Sequence, residues 1–179
     1  MTTANDRAVL NRILNPLLPA NDLVGEKEVQ EDEPISHSGI EESRNLETEG
    51  VRLAESGKVD NAVAAFSKAI EICPVNPSAY NNRAQAYRLE GKVEEALVDL
   101  NKAIELSHGK GKSACQALVQ RAMIHRLQGD DDKAREDFGA AASLGSSFAK
   151  MQAVALNPYA AMCNKMLAQV FDELKTGKQ

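Results

Sequence analysis

The chain has 179 residues, of which 43% are apolar and 26% are charged, a balance typical of one globular domain with a sizeable core. Its net charge of -5 argues against a nucleic-acid partner, because phosphate backbones are bound by clustered Lys and Arg. No stretch of about 18 apolar residues occurs, so a membrane is not expected as a partner either.

Residues 1–24 are predicted to contain a short helix that serves as a docking segment. Asn5 or Asp6 can cap a helix from Arg7 to Leu14, and Pro16 ends it. Its apolar side chains form one stripe, and two alternatives stay open: the segment folds back onto the rest of the protein, or it is a free docking peptide. Charged residues interrupt this start, so a secretory signal is not expected. The expected location is the cytoplasm, with the nucleus as an additional one.

Residues 25–42, which include the run "GEKEVQEDEPISHSGIEE", are acidic and poor in apolar residues. Such a composition cannot bury enough apolar surface to offset the entropy of ordering. A flexible linker is therefore expected here.

Three similar stretches follow the linker, and the first two are offset by 34 residues. Gly57 matches Gly91, and a third copy with Gly129 follows a four-residue insertion. A period of 34 with this residue pattern resembles the tetratricopeptide repeat, which implies helical hairpins at residues 43–76, 77–110 and 115–148. In repeats of this kind three small residues let the paired helices approach closely. The matching positions here hold Gly50, Ala62 and Ala69; Ala84, Ala96 and Ala103; and Ala122, Ala134 and Ala141.

The insertion "SHGKGKS" lengthens the connection between the second and third copies. A phosphate-binding loop would need a glycine at the position of Leu106 and a preceding strand, and the sequence offers neither. Lys110 and Lys112, just before a predicted helix start at Ser113, can still attract an anion.

Residues 149–175 are predicted to form two further helices, the second capped by Asn157 with Pro158 in its first turn. Apolar side chains, among them Met162, Met166 and Phe171, would lie along one side. Because a stack of repeats exposes an apolar face at its end, we expect these helices to cap the third copy. A partner-binding helix is the alternative.

The three cysteines are expected to be reduced thiols in the core rather than disulfide or metal ligands. Cys73, Cys115 and Cys163 are odd in number, far apart, and surrounded by apolar helical residues. The three histidines are equally scattered. No metal site, no cofactor and no enzymatic activity are therefore expected.

The repeat pattern resembles the tetratricopeptide repeat, which implies an all-α solenoid of three helical hairpins. The segments "ANDRAVLNRILNP", "SAYNNRAQAYRLEG" and "NPYAAMCNKMLA" resemble, more specifically, the tetratricopeptide repeat protein 36 family. Members of that family have been described as binding partners of the seventy-kilodalton heat-shock chaperone, and some have been linked to tyrosine catabolism through the dioxygenase that acts on hydroxyphenylpyruvate.

The resemblance implies a non-catalytic adaptor that binds the chaperone in the manner of a co-chaperone. The alternative is a regulatory binding protein that stabilises a metabolic enzyme, in tyrosine catabolism. Either way the expected partner is a protein, and the chain itself is expected to be a monomer.

In such hairpins the first helix of each repeat lines the concave face, where a partner would bind. Amide side chains there can bond the backbone of an extended peptide, and two arginines at one register position suit carboxylates. The simpler interpretation, that these are only solvated polar residues, stays open. The predicted groove residues are Asn81, Asn82, Gln85, Arg88, Gln116, Gln120, Met123 and Arg126.

The two-carboxylate clamp, by which co-chaperone repeats grip the acidic tail of heat-shock chaperones, is not intact in this sequence. It needs Lys and Asn in repeat one, Asn in repeat two, and Lys and Arg in repeat three. Among the corresponding residues only Asn82 fits, and Glu47 is expected to repel a tail carboxylate. Those residues are Glu47, Val51, Asn82, Gln116 and Gln120.

Overall fold

The computed structural model describes residues 29–157, 159, 162–163, 166–167 and 169–171. The predicted docking segment at residues 1–24 lies outside the described residues. All regular structure in the described part is helical, and no helix there has the length and apolar character that crossing a membrane requires. The helices are α1 (Ile40–Glu55), α2 (Val59–Ile72), α3 (Pro77–Leu89), α4 (Val93–Leu106), α5 (Gly111–Leu127), α6 (Asp131–Ser143) and α7 (Ser147–Ala155).

Each of the first three hairpins turns at a glycine with left-handed backbone geometry. The φ angles of Gly57, Gly91 and Gly129 are 78°, 76° and 82°. In the first turn the N–H of Lys58 donates to the carbonyl of Leu53 at 2.9 Å, and the same bond recurs in the other two turns. Only glycine adopts this conformation without strain, so the backbone of the turn accounts for the glycine that recurs in the sequence.

The nine small residues predicted to let the paired helices approach closely are all buried, which agrees with that prediction. A Cβ atom on Gly50 would lie 2.5 Å from Cε1 of Phe66, so α1 and α2 are closer here than any larger side chain allows. Phe66, Leu100 and Phe138 fill the same position in successive hairpins and are 2%, 0% and 0% exposed. One large side chain per hairpin therefore fills the space beside the small ones.

Successive helices pack against one another in order along the chain, and the first helices of neighbouring hairpins also touch. Contacts join α1 to α3 and α3 to α5, in addition to the pairs within each hairpin. This arrangement places α1, α3 and α5 side by side on one surface, which is the concave face. The prediction of an all-α solenoid of helical hairpins is confirmed.

Helix α7 covers the end of the third hairpin. Ala149 is fully buried, and the rings of Phe148 and Phe138 meet edge to face with centroids 6.1 Å apart. Residues 159–171 are helical wherever they are described, and the N–H of Tyr159 donates to Oδ1 of Asn157 at 3.0 Å, the predicted cap. Their described apolar side chains are exposed, however, so within the described residues the covering contact comes from α7.

Two buried ion pairs recur at equivalent places in the second and third hairpins. The guanidinium of Arg83 donates to both carboxylate oxygens of Asp99 at 2.7 and 2.8 Å, and Arg121 donates likewise to Asp137. The hydrogen bonds to the aspartate raise the pKa of each arginine above its ordinary value. Each pair ties the first helix of a hairpin to the second.

We expect Asp99→Ala to lower the free energy of unfolding by about 3 kcal/mol, because it leaves the mostly buried guanidinium of Arg83 without its counter-charge. Glu105→Ala is the matched control, since Glu105 pairs with Lys102 on the exposed surface of the same helix. Its expected effect is below about 0.5 kcal/mol. Urea unfolding followed by circular dichroism measures both, and equal losses would contradict a structural role for the buried pair.

Candidate partner-binding groove

The concave face holds a cavity of about 500 Å³ between α3 and α5, at the place where a partner-binding groove was predicted. Six of the eight predicted residues line it. The predicted lining residues are Asn81, Asn82, Gln85, Arg88, Gln116 and Gln120, and they are joined by Val29, Lys112, Cys115, Val119, Ser146 and Phe148.

The other two predicted groove residues do not line this cavity. Met123 packs against the apolar cluster of the third hairpin. Arg126 donates through Nη1 to Oε1 of Gln152 on α7. The two arginines therefore do not lie together as expected. Arg126 bonds to Gln152 of α7, whereas Arg88 lines the cavity.

Asn81 is a structural residue as well as a lining residue. It is only 2% exposed, and its Nδ2 donates to the carbonyl of Ser113 at 2.7 Å, which joins α3 to α5. Its Oδ1, like Oε1 of Gln120, is buried and accepts no hydrogen bond from the described residues. Both oxygens are therefore buried acceptors that the described residues leave unpaired, which is uncommon in folded proteins.

Glu47, expected to repel a tail carboxylate in the groove, is instead buried at the junction of α1 and α3. It is 6% exposed and accepts hydrogen bonds from Nδ2 of Asn76 at 2.5 Å, Oγ of Ser78 at 2.6 Å and Nδ2 of Asn82 at 2.8 Å. The amide of Asn82, the one residue that fits the clamp, is therefore bound within the chain. Sequence reasoning missed Asn76 and Ser78, although "Asn-Pro-Ser" before a helix is a recognisable capping signal.

The acidic segment predicted as a flexible linker is in contact with the concave face from residue 29 onward. Asp32 accepts from the N–H of Ser113 at 2.8 Å and from its hydroxyl at 2.5 Å, near the start of α5. Glu31 lies 3.9 Å from Nζ of Lys112. The anion that the insertion was expected to attract is, in this structure, a carboxylate of the same chain.

Two of the three cysteines are buried as predicted, and the prediction for the third is wrong. Cys73 and Cys115 are buried, whereas Cys163 is exposed on the C-terminal helical segment. Burial raises the pKa of the Cys115 thiol, although that side chain borders the groove. Among the described residues no group of His, Cys, Asp and Glu is arranged to hold a metal ion.

Comparison with known proteins indicates the same class of protein as the arrangement of the helices. Two family models, described as "TPR repeat" and "Tetratricopeptide repeat", match residues 50–89 and 77–109. The fold and the groove define a tetratricopeptide-repeat protein. Tetratricopeptide repeat protein 36 from Caenorhabditis briggsae is 64% identical over 99% of both chains, and the human protein of that name is 50% identical over 98% of this chain and 97% of its own. The chain belongs to the tetratricopeptide repeat protein 36 family.

A solved structure supports the fold alone. The second TPR domain of the human RPAP3 protein, in complex with the HSP70 peptide SGPTIEEVD, superimposes with a TM-score of 0.57 at 23% identity. The match covers 66% of this chain and 98% of that one.

We expect iodoacetamide to alkylate Cys163 at least about tenfold faster than Cys73 or Cys115, because buried thiols react only after local opening. The raised pKa of Cys115 slows it further, since less thiolate is present at neutral pH. Timed labelling followed by peptide mass spectrometry gives the three rates. Labelling of Cys115 as fast as Cys163 would contradict the packing of the third hairpin.

Proposed function

We propose that this protein is a non-catalytic adaptor that binds the seventy-kilodalton heat-shock chaperone without using a two-carboxylate clamp. The observation that carries the proposal is the concave cavity in which amide groups and Arg88 lie together. Such groups bind the backbone and the carboxylates of a protein partner and supply no nucleophile or activated base. The RPAP3 domain, which is in complex with an HSP70 peptide, supports this class of partner for a fold of this kind.

The contacts of Glu47 support a binding mode other than the clamp. Glu47 occupies the position at which the clamp has a lysine, and it accepts a hydrogen bond from Nδ2 of Asn82. A tail carboxylate would therefore lack both the lysine and the asparagine amide as donors. Gln116 and Gln120 replace the cations of the third repeat. Each charge-assisted hydrogen bond that is missing amounts to roughly 1.5–3 kcal/mol of binding free energy.

Deleting the acidic tail of the chaperone is therefore expected to change its Kd for this protein by less than about threefold, or ~0.6 kcal/mol. Isothermal titration calorimetry with the full-length and the tail-less chaperone measures the two values. A loss of more than about tenfold on deletion would show that the tail is gripped and would overturn the proposed binding mode.

Reversing a charge in the groove tests whether the concave face is the binding surface. Arg88→Glu is expected to weaken chaperone binding by about tenfold or more, because it places a carboxylate in the cavity. Lys68→Glu makes a comparable change on α2, where Lys68 is exposed and makes no hydrogen bond or ion pair with the described residues. Equal affinities for the two variants would move the binding site away from the groove.

A second candidate function is stabilisation of a metabolic enzyme of tyrosine catabolism, and the exposed apolar side chains near the C-terminal end favour it. Phe148 and Met151 of α7 are exposed, as are Met162, Met166 and Phe171 further on. Exposed apolar side chains along this end of the chain suit a folded partner better than an extended peptide. This function predicts slower loss of the enzyme in cells that contain the protein, and it predicts the same protection from the Arg88→Glu variant.

A further inference from the structure

The acidic segment, residues 29–35, crosses the concave face of its own chain. At one end Val29 lines the cavity between α3 and α5, and at the other Ile35 lines a second cavity of about 610 Å³ beside α1. No helix or strand forms within residues 29–37. The segment therefore follows the course that an extended partner peptide would take through the groove.

Asp32 is held at a receptor that fits a carboxylate. Both of its oxygens accept hydrogen bonds from Ser113, whose N–H is one of the free donors of the first turn of α5. Gly111 has a φ of +75°, and a Cβ atom there would lie 2.5 Å from Oδ1 of Asp32. The site thus requires glycine at position 111, both for its backbone and for the space that the carboxylate occupies.

Val29 supplies an apolar anchor three residues before this aspartate. It packs against the cluster of the third hairpin that contains Cys115 and Leu118. Glu31 contributes little, because its ion pair with Lys112 is long and exposed. The contacts that hold the segment are therefore those of an apolar side chain and, three positions later, those of a carboxylate within a continuing chain. A terminal carboxylate, which the clamp reads, is a different feature.

We propose that the concave groove recognises an internal acidic segment of the pattern apolar-x-x-Asp, and that residues 29–32 occupy it in cis until a partner segment of the same pattern displaces them. The proposal specifies, for the adaptor function proposed above, which feature of a protein partner is read. Because the segment is tethered directly ahead of α1, its effective concentration at the groove is high, and a partner binds only the fraction of molecules whose groove is open.

The test uses the full-length protein and a fluorescein-labelled peptide of residues 25–35 as the probe, with binding followed by fluorescence polarisation. Asp32→Ala in the protein is expected to tighten probe binding by about tenfold or more, because it weakens the competing segment. Glu33→Ala is the matched control: it removes the same charge one residue later, where the side chain makes no hydrogen bond or ion pair with the described residues. It should leave the affinity unchanged.

Two further measurements make the result decisive. A probe that carries Asp32→Ala or Val29→Ser should lose binding to the Asp32→Ala protein. Without any probe, hydrogen exchange of the Ser113 amide should be faster in the Asp32→Ala protein than in the Glu33→Ala protein, with unchanged helix content by circular dichroism. Equal probe affinities of those two proteins, or equal exchange at Ser113, would overturn the proposal. Probe binding by a protein that fails to bind the chaperone would overturn the proposed partner and leave this inference standing.

Discussion

The close approach of paired helices is the constraint on which the rest of this structure depends. Gly50 faces the ring of Phe66 at a distance that leaves no room for a methyl group, and alanines occupy the equivalent places in the next two hairpins. A larger residue would force the helices apart, and overpacking of this kind typically costs 1–3 kcal/mol. The helix separation sets how α1, α3 and α5 lie beside one another. The shape of the concave face therefore depends on the small residues between the paired helices, although these residues do not line it.

Glu47 occupies a position that binds the partner in the clamp, but in this protein its side chain holds two hairpins together. A buried carboxylate is tolerated only when donors satisfy it, and α3 with its preceding turn supplies three of them. The consequence is chemical as well as structural. The amide of Asn82, which could have held a partner's carboxylate, is directed to the junction between the first two hairpins instead.

Features that repeat with the 34-residue period could be predicted from the sequence, and contacts outside that period could not. The turn glycines and the small residues recur because each hairpin solves the same packing problem. The Arg83–Asp99 pair also recurs, as Arg121–Asp137, and comparing charged positions between repeats would have found it. Six of the eight residues predicted from the register line the cavity, while Arg126 bonds to α7, a helix whose contacts no repeat pattern specifies.

The contact of Asp32 with Ser113 joins residues 81 positions apart, and its physical basis lies in how the helices of the concave face begin. Helix α3 is capped by its own neighbour Asn76, whose side chain accepts from the N–H of Ser78. Helix α5 follows the four-residue insertion and has no side-chain cap at its N-cap residue. Asp32 supplies the missing acceptor, and losing such a cap typically costs about 1 kcal/mol. A partner carboxylate that replaced Asp32 would restore that contribution. Displacement of Asp32 by a partner therefore need not destabilise the third hairpin.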